Sequence, residues 1–188
     1  NIRKGTRVIC DGAFADQSIK QLIIPSSVVA IGDNPFASDL DYRGSKIAVK
    51  NQSPNYIVNE DALYTKDGHT IVAYWGEQKQ FTVPDHIIHI ANGCFSNARN
   101  LEKIFIPQGV ETIGCKAFED CYSLKSLDLP KSVKNIGEFA FSNCAALDSI
   151  TIPNSVTSIE YETFSGCDSL TTIVIPDSVT TIGAYAFY

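Results

Sequence analysis

Six cysteines, three histidines and a few adjacent carboxylates are the groups in this 188-residue chain with chemistry to offer. Cys10, Cys94, Cys115, Cys121, Cys144 and Cys167 contain no Cys-x-x-Cys and no Cys–His pairing, the spacings on which structural zinc sites are built. Cys121, Cys144 and Cys167 nevertheless recur every 23 residues. Such a stack is open to three readings: a metal stack, a disulfide ladder, or small thiols filling a core. Equivalents one inter-strand spacing apart, roughly 5 Å, are within disulfide reach, but parallel inward Cβ vectors disfavour the bond. Buried thiols are therefore expected. Cys94 and Cys115 sit at different offsets, and a disulfide between them stays open. His86 and His89 fall on variable positions and His69 in a turn, so solvated or half-buried structural roles are expected. Glu60-Asp61 and Glu119-Asp120 read as solvated loop carboxylates rather than acid–base pairs. Asp61 to Asp67 lacks the spaced oxygens of an EF-hand loop, and Asn51-Gln52-Ser53, a formal glycosylation sequon, is followed by Pro54. There is no G-x-S-x-G, no phosphate-cradling loop and no H-E-x-x-H. No enzyme activity, metal or cofactor is expected from this inventory.

The interval of 23 is the organising fact. Pro84, Pro107, Pro130, Pro153 and Pro176 keep it, as do Leu101, Leu124, Leu147 and Leu170. Phe95, Phe118, Phe141, Phe164 and Phe187 keep it too, and Phe14 and Phe36 extend the rung backward. In Leu147 to Ile152, Ile150 and Ile152 alternate with polar neighbours, which is strand periodicity. Pro153 removes a backbone donor and ends the strand. Val156 and Ile159 form a second inward pair, Gly137 or Gly183 permits a corner, and Ala-Phe-x-x-Cys-x-x-Leu suits a turn of 3₁₀ or α-helix. One such coil cannot bury its apolar side chains alone; stacked coils can, each position becoming a ladder.

The expected fold is thus a solenoid of short parallel strands and short helical turns with one β-hairpin insertion, in a single domain over 1–188. Residues 1–39 hold two coils, marked by Ile9-Cys10 and Phe14 and by Ile24-Pro25, Ile31-Gly32 and Phe36. Residues 40–80 form one enlarged coil. There Ile47 and Val49 mark a strand, Ser53-Pro54 a turn, and Asp67-Gly68 between Ala62-Leu63-Tyr64 and Ile71-Val72-Ala73-Tyr74 a hairpin projecting from the stack. Residues 81–188 are regular coils.

The unit resembles the BspA-like class of leucine-rich repeats in its I-P-x-S-V-x-x-I-G-x-x-A-F-x-x-C-x-x-L core. The core is seen in Ile175-Pro176-Asp177-Ser178-Val179, Ile182-Gly183, Ala186-Phe187, and Cys144 with Leu147. Asn55-Tyr56 followed by Asp61 to Gly68 resembles an insertion of the same class, with Ala62 replacing its usual Gly-Val. The resemblance implies a secreted or surface-anchored protein, bacterial or from a parasitic protist, adhering to host extracellular proteins or other cells.

Function must still come from a site. Net charge is −6, which disfavours nucleic acid, and no run of 18 apolar residues offers a membrane span. Outward positions of the first strand should align into a sheet face, with Ile23, Lys103, Phe105, Asp128, Thr151 and Val174 as candidate contacts. Trp75, at the base of the hairpin, is either a binding anchor or the packing between hairpin and solenoid. Two roles remain, a recognition or adhesion module with a protein ligand and a structural spacer. A chain beginning in a strand slot and stopping beyond Phe187 also suggests the interior of a longer array, able to associate end to end.

Overall fold

The computed structural model describes residues 2–14, 19–33, 35, 47–59 and 61–188. Phe36 and the start of the 40–80 segment lie outside them. The chain winds as a β-solenoid. In the N-terminal coils β1 (Val8–Ile9) pairs in parallel with β3 (Ala30–Ile31), and β2 (Gln21–Ile24) with β4 (Ala48–Asn51). Then β5 (Tyr56–Asn59), β6 (Ala62–Thr65) and β7 (Thr70–Tyr74) form an antiparallel meander. The regular coils follow, each contributing strands to two walls and a run of turns to a third. The first wall holds β8 (Gln80–Thr82), with β9 (His89–Ile90) opening the second. Next come β10 (Lys103–Phe105), β11 (Thr112–Ile113), β12 (Asn135–Ile136), β13 (Ser149–Thr151), β14 (Ser158–Ile159), β15 (Thr172–Val174) and β16 (Thr181–Ile182).

Strand patterning is as the alternation requires: in β10 and β13 the central Ile104 and Ile150 are buried between exposed neighbours. One coil departs. Ser126 makes only isolated bridges to Lys103 and Ser149, with no named strand at 126–128. Leu127-Asp128-Leu129 stands where other coils have β-branched residues, and Asp in particular disfavours strand geometry.

The phenylalanine rung is a column of rings. Phe95, Phe118, Phe141, Phe164 and Phe187 stack nearly parallel, with centroids 5.1–5.6 Å apart. The first four are fully buried, each worth about 2–3 kcal/mol of apolar transfer, while Phe187 is 42% exposed. At the other end the column passes to Tyr74, tilted 40° against Phe95 at 5.1 Å. A serine ladder runs beside it: Ser27, Ser132 and Ser178 donate to the carbonyls of Thr6, Val110 and Val156 in the coil before, at 2.7–2.8 Å.

The Ala-Phe-x-x-Cys segments form no helix among the described residues. They are successive i→i+3 turns, Ala98 N–H to Phe95, Cys121 to Phe118, Cys144 to Phe141, broken by left-handed residues at two repeating positions. One position holds Gly93, Lys116, Phe139, Glu162 and Tyr185, the other Asn97, Asp120, Asn143 and Gly166. The breaks turn alternate amides out of the coil. Phe95, Phe118, Phe141 and Phe164 donate forward to residues 117, 140, 163 and 186 of the next coil, so the third wall is stitched by inter-coil bonds while its turns close locally. Glycine has a different task from the corner expected of it: a Cβ on Gly137 would lie 2.4 Å from the Cys115 nitrogen, so its hydrogen lets adjacent coils close up.

The hairpin is also placed differently from expectation. It does not project; β7 pairs in parallel with β9, inserting the meander into a six-stranded sheet ordered β12-β11-β9-β7-β6-β5. Both its faces are buried. Ala62, Tyr64, Ile71 and Tyr74 join the core of the regular stack, and Leu63, Val72 and Ala73 a second core with Ile9, Leu22, Ile24, Val28 and Ile47. A register shift between Leu63 and Tyr64 skips Val72. That bulge lets Val72 and Ala73 face one way and Ile71 and Tyr74 the other.

Candidate functional site

The first wall carries most of the expected contacts. Parallel register sets Lys103 against Gln80, Phe105 against Thr82, and Thr151 against Val174. Phe105 is 45% exposed and Val174 53%. The Lys103 ammonium sits 4.7 Å from the centre of the Phe105 ring, a cation–π contact that holds both long side chains on the wall. Lys103, Phe105 and Asp128 line one shallow depression of about 90 Å³, floored by Ile104 and Ser126. Asp128, in the coil without a named strand at 126–128, joins the Lys103–Phe105 pair in lining it. At its edge Glu102 accepts from Lys125 and pairs with Lys79, both at 2.7 Å. Lys125 first, then Lys79, draws its carboxyl down to about 2. Thr151 and Val174 continue the wall through β13 and β15.

Two expected residues lie elsewhere. Ile23 is half-buried on β2, opposite Lys50 of β4, in a two-stranded sheet of the N-terminal coils. Trp75 is half-buried against the N-terminal core, its backbone N–H donating to the Asp61 carbonyl at 2.9 Å.

The cysteines are free thiols. Cys121, Cys144 and Cys167 each donate to the carbonyl of the Phe in the coil before, at 3.2 Å. Burial pushes the Cys94, Cys121 and Cys144 thiols well up, and that of Cys167 to about 12, so the nucleophilic thiolate is not formed there at neutral pH. Cys94 is buried and Cys115 exposed. Among the described residues, no three His, Cys, Asp or Glu side chains gather as a metal site, and no helix is long and apolar enough to cross a membrane.

A second surface feature lay outside the expected set. Following β12, β14 and β16, Phe139, Tyr161 and Tyr185 meet edge to face, with centroids 5.2 and 6.0 Å apart, and Tyr188 continues at 5.7 Å. The readable signal was an aromatic in the variable pair before Ala-Phe or its equivalent: Glu138-Phe139, Tyr161-Glu162, Ala184-Tyr185. Such positions vary between coils, and periodicity by itself passes over them.

A family model described as BspA type leucine-rich repeat region matches residues 1–52 and 72–188, in six copies. The unmatched residues, 53–71, include all of β5 and β6, which is where the repeat is interrupted. Among solved structures, a leucine-rich repeat protein from Eubacterium ventriosum is 28% identical with a TM-score of 0.79, covering 99% of this chain and 56% of its own. A leucine-rich cell surface protein from Faecalibacterium prausnitzii is 25% identical with a TM-score of 0.66, covering 89% of this chain and 50% of its own. The pneumococcal vaccine antigen PcpA, 24% identical with a TM-score of 0.68 over 95% of this chain and 54% of its own, shares the fold. The chain thus spans about half the length of these proteins. No curated protein matches it.

Proposed function

Because this chain belongs to the BspA-type leucine-rich repeat family, we propose that it is a non-enzymatic recognition module acting at a cell surface or outside the cell. In this reading it binds a protein ligand, a host extracellular-matrix protein or a surface protein of another cell, through the outer face of β8, β10, β13 and β15. The observation carrying the reading is the depression that joins Lys103, Phe105 and Asp128. An exposed aromatic such as Phe105 is of the class enriched at protein interfaces, and the Lys103 and Asp128 charges beside it suit the polar rim around such a contact. The likeness to a leucine-rich cell surface protein supports the compartment. Buried thiols and the chain's net negative charge support neither catalysis nor nucleic-acid binding.

The test is binding of the full chain to immobilised extracellular-matrix proteins, for the wild type and a Lys103→Ala/Phe105→Ala double variant. The expected outcome is saturable binding that weakens at least about tenfold in the variant, the scale of an interface anchor. Absence of saturable binding would leave the structural spacer as the better reading. Equal binding by the variant would move the ligand to another wall.

A further inference from the structure

We infer that the ridge of Phe139, Tyr161 and Tyr185 is a second binding surface, which takes an extended, arginine-bearing protein segment. It lies after the second-wall strands, away from the depression around Phe105, and does not depend on that site.

Backbone conformation shows first that these aromatics are not incidental. Phe139 and Tyr185 have φ of 57°, in the left-handed region that bulky residues avoid. Gly93 fills the same position one coil before Lys116, with φ of 61°. The fold thus accepts glycine at that position, yet two later coils place a large ring there at a conformational cost. Phe139 and Tyr161, inside the stack, are half-exposed, and Tyr185 in the last coil is exposed.

Charge then identifies the occupant. The Lys116 ammonium stands 5.0 Å from the centre of the Phe139 ring, so the first ring of the ridge already seats a cation. One and two coils beyond Phe139 the equivalent positions are Glu162 and Tyr185, supplying a carboxylate and a ring instead. Tyr161 donates its hydroxyl to Glu162, and that bond, with desolvation and the nearby Glu138, holds the phenol protonated above the usual tyrosine range. Lys116 itself is paired with Glu119 at 3.0 Å, so its charge is spoken for. Rings beside carboxylates suit guanidinium, which stacks on aromatic faces and pairs with carboxylate through a planar fork. Alternate residues of an extended strand are roughly 6.5 Å apart, close to the 5.2 and 6.0 Å between ring centres.

The probe is an eight-residue peptide alternating Arg and Ser, titrated into the full chain while tyrosine ring signals are followed by NMR. Peptides with Glu in place of Arg, and maltohexaose, are run alongside. Shifts of the Tyr161 and Tyr185 rings are expected with the arginine peptide alone, weakening as salt is raised. Tyr185→Ala should raise the dissociation constant about tenfold and Glu162→Gln about threefold, while Phe105→Ala leaves it unchanged. Thermal melting checks that each variant folds, and Glu162→Gln, which keeps size and backbone, decides the matter if Tyr185→Ala does not. Equal affinity for wild type and the ridge variants, or equal response to the glutamate peptide, would overturn the assignment. Ring shifts produced by maltohexaose instead would make the ridge a saccharide platform and overturn it as well.

Discussion

From Phe81 to Tyr188 each coil repeats the contacts of its neighbour, ring on ring and thiol on carbonyl, around one core. Between Ile47 and Trp75 the chain instead builds a septum, the β6–β7 hairpin, which gives alternate side chains to two cores and seals each from the other. A repeating coil needs only nearest neighbours, so its stability is close to a sum over units. The septum is held in place by its pairing with β9 and by two unlike hydrophobic faces, and a change on one face need not propagate to the other. Periodic sequence thus makes an extendable stack, while an aperiodic insertion divides it into parts that fail separately.

Phe141→Ala should open that difference widest. Removing a fully buried ring from the middle of the column should cost about 3–5 kcal/mol, read as a large fall in melting temperature across the regular coils; an unchanged melt would mean the column does not organise the stack. Leu63→Ala, on the septum, should cost about 2–4 kcal/mol but act locally. Hydrogen exchange should accelerate at Leu22, Ile24 and Val28 and stay slow at Phe118 and Phe141. Uniform acceleration would show a single cooperative unit in place of two. Ser132→Ala removes one rung of the serine ladder, its hydroxyl to the Val110 carbonyl at 2.7 Å, and should cost about 1 kcal/mol in a denaturant titration.

The smallest effect concerns pH. Glu102 is drawn from the usual carboxylate range to about 2 by Lys125 and Lys79, so its folded-state value lies below its unfolded one. Its contribution is complete above about 4.5 and fades as pH falls through about 2. A carboxyl titration followed by NMR should find Glu102 ionised at pH 3, and Lys125→Ala should move its midpoint upward. Being solvent-exposed, the triad should move the acid melting profile only slightly.

Much of this was legible from residue spacing. The 23-residue rungs foretold the ring column, the buried thiols and the outward placement of Lys103, Phe105 and Val174, because burial at a fixed period leaves few arrangements open. Asp67-Gly68 foretold the turn between β6 and β7. What spacing withheld was tertiary in origin. Leu63 and Tyr64 alternate as they would on any strand, and alternation does not tell a face turned to solvent from one turned to a second core. The missing strand at 126–128 goes with Asp128 between Leu127 and Leu129, a small loss of strand propensity inside an otherwise faithful repeat. Phe139 in a left-handed conformation runs against its own preference, and only the forward hydrogen bonds of the third wall require it. Trp75 stood between two roles that sequence does not separate; the structure places it half-buried beside the N-terminal core.

Those forward hydrogen bonds have a consequence for symmetry. On the third wall, amides of residues 93, 95 and 97 donate to the coil ahead, and the set at 116, 118 and 120 does the same, as do those that follow. Each coil therefore offers donors on one side and acceptors on the other. Two like ends brought together across a two-fold axis would set donors against donors, or carbonyls against carbonyls. Opposite ends would match. Any joining of copies along this wall is consequently head to tail, a heterologous contact that makes a ring where its rotation closes and a polar filament where it does not.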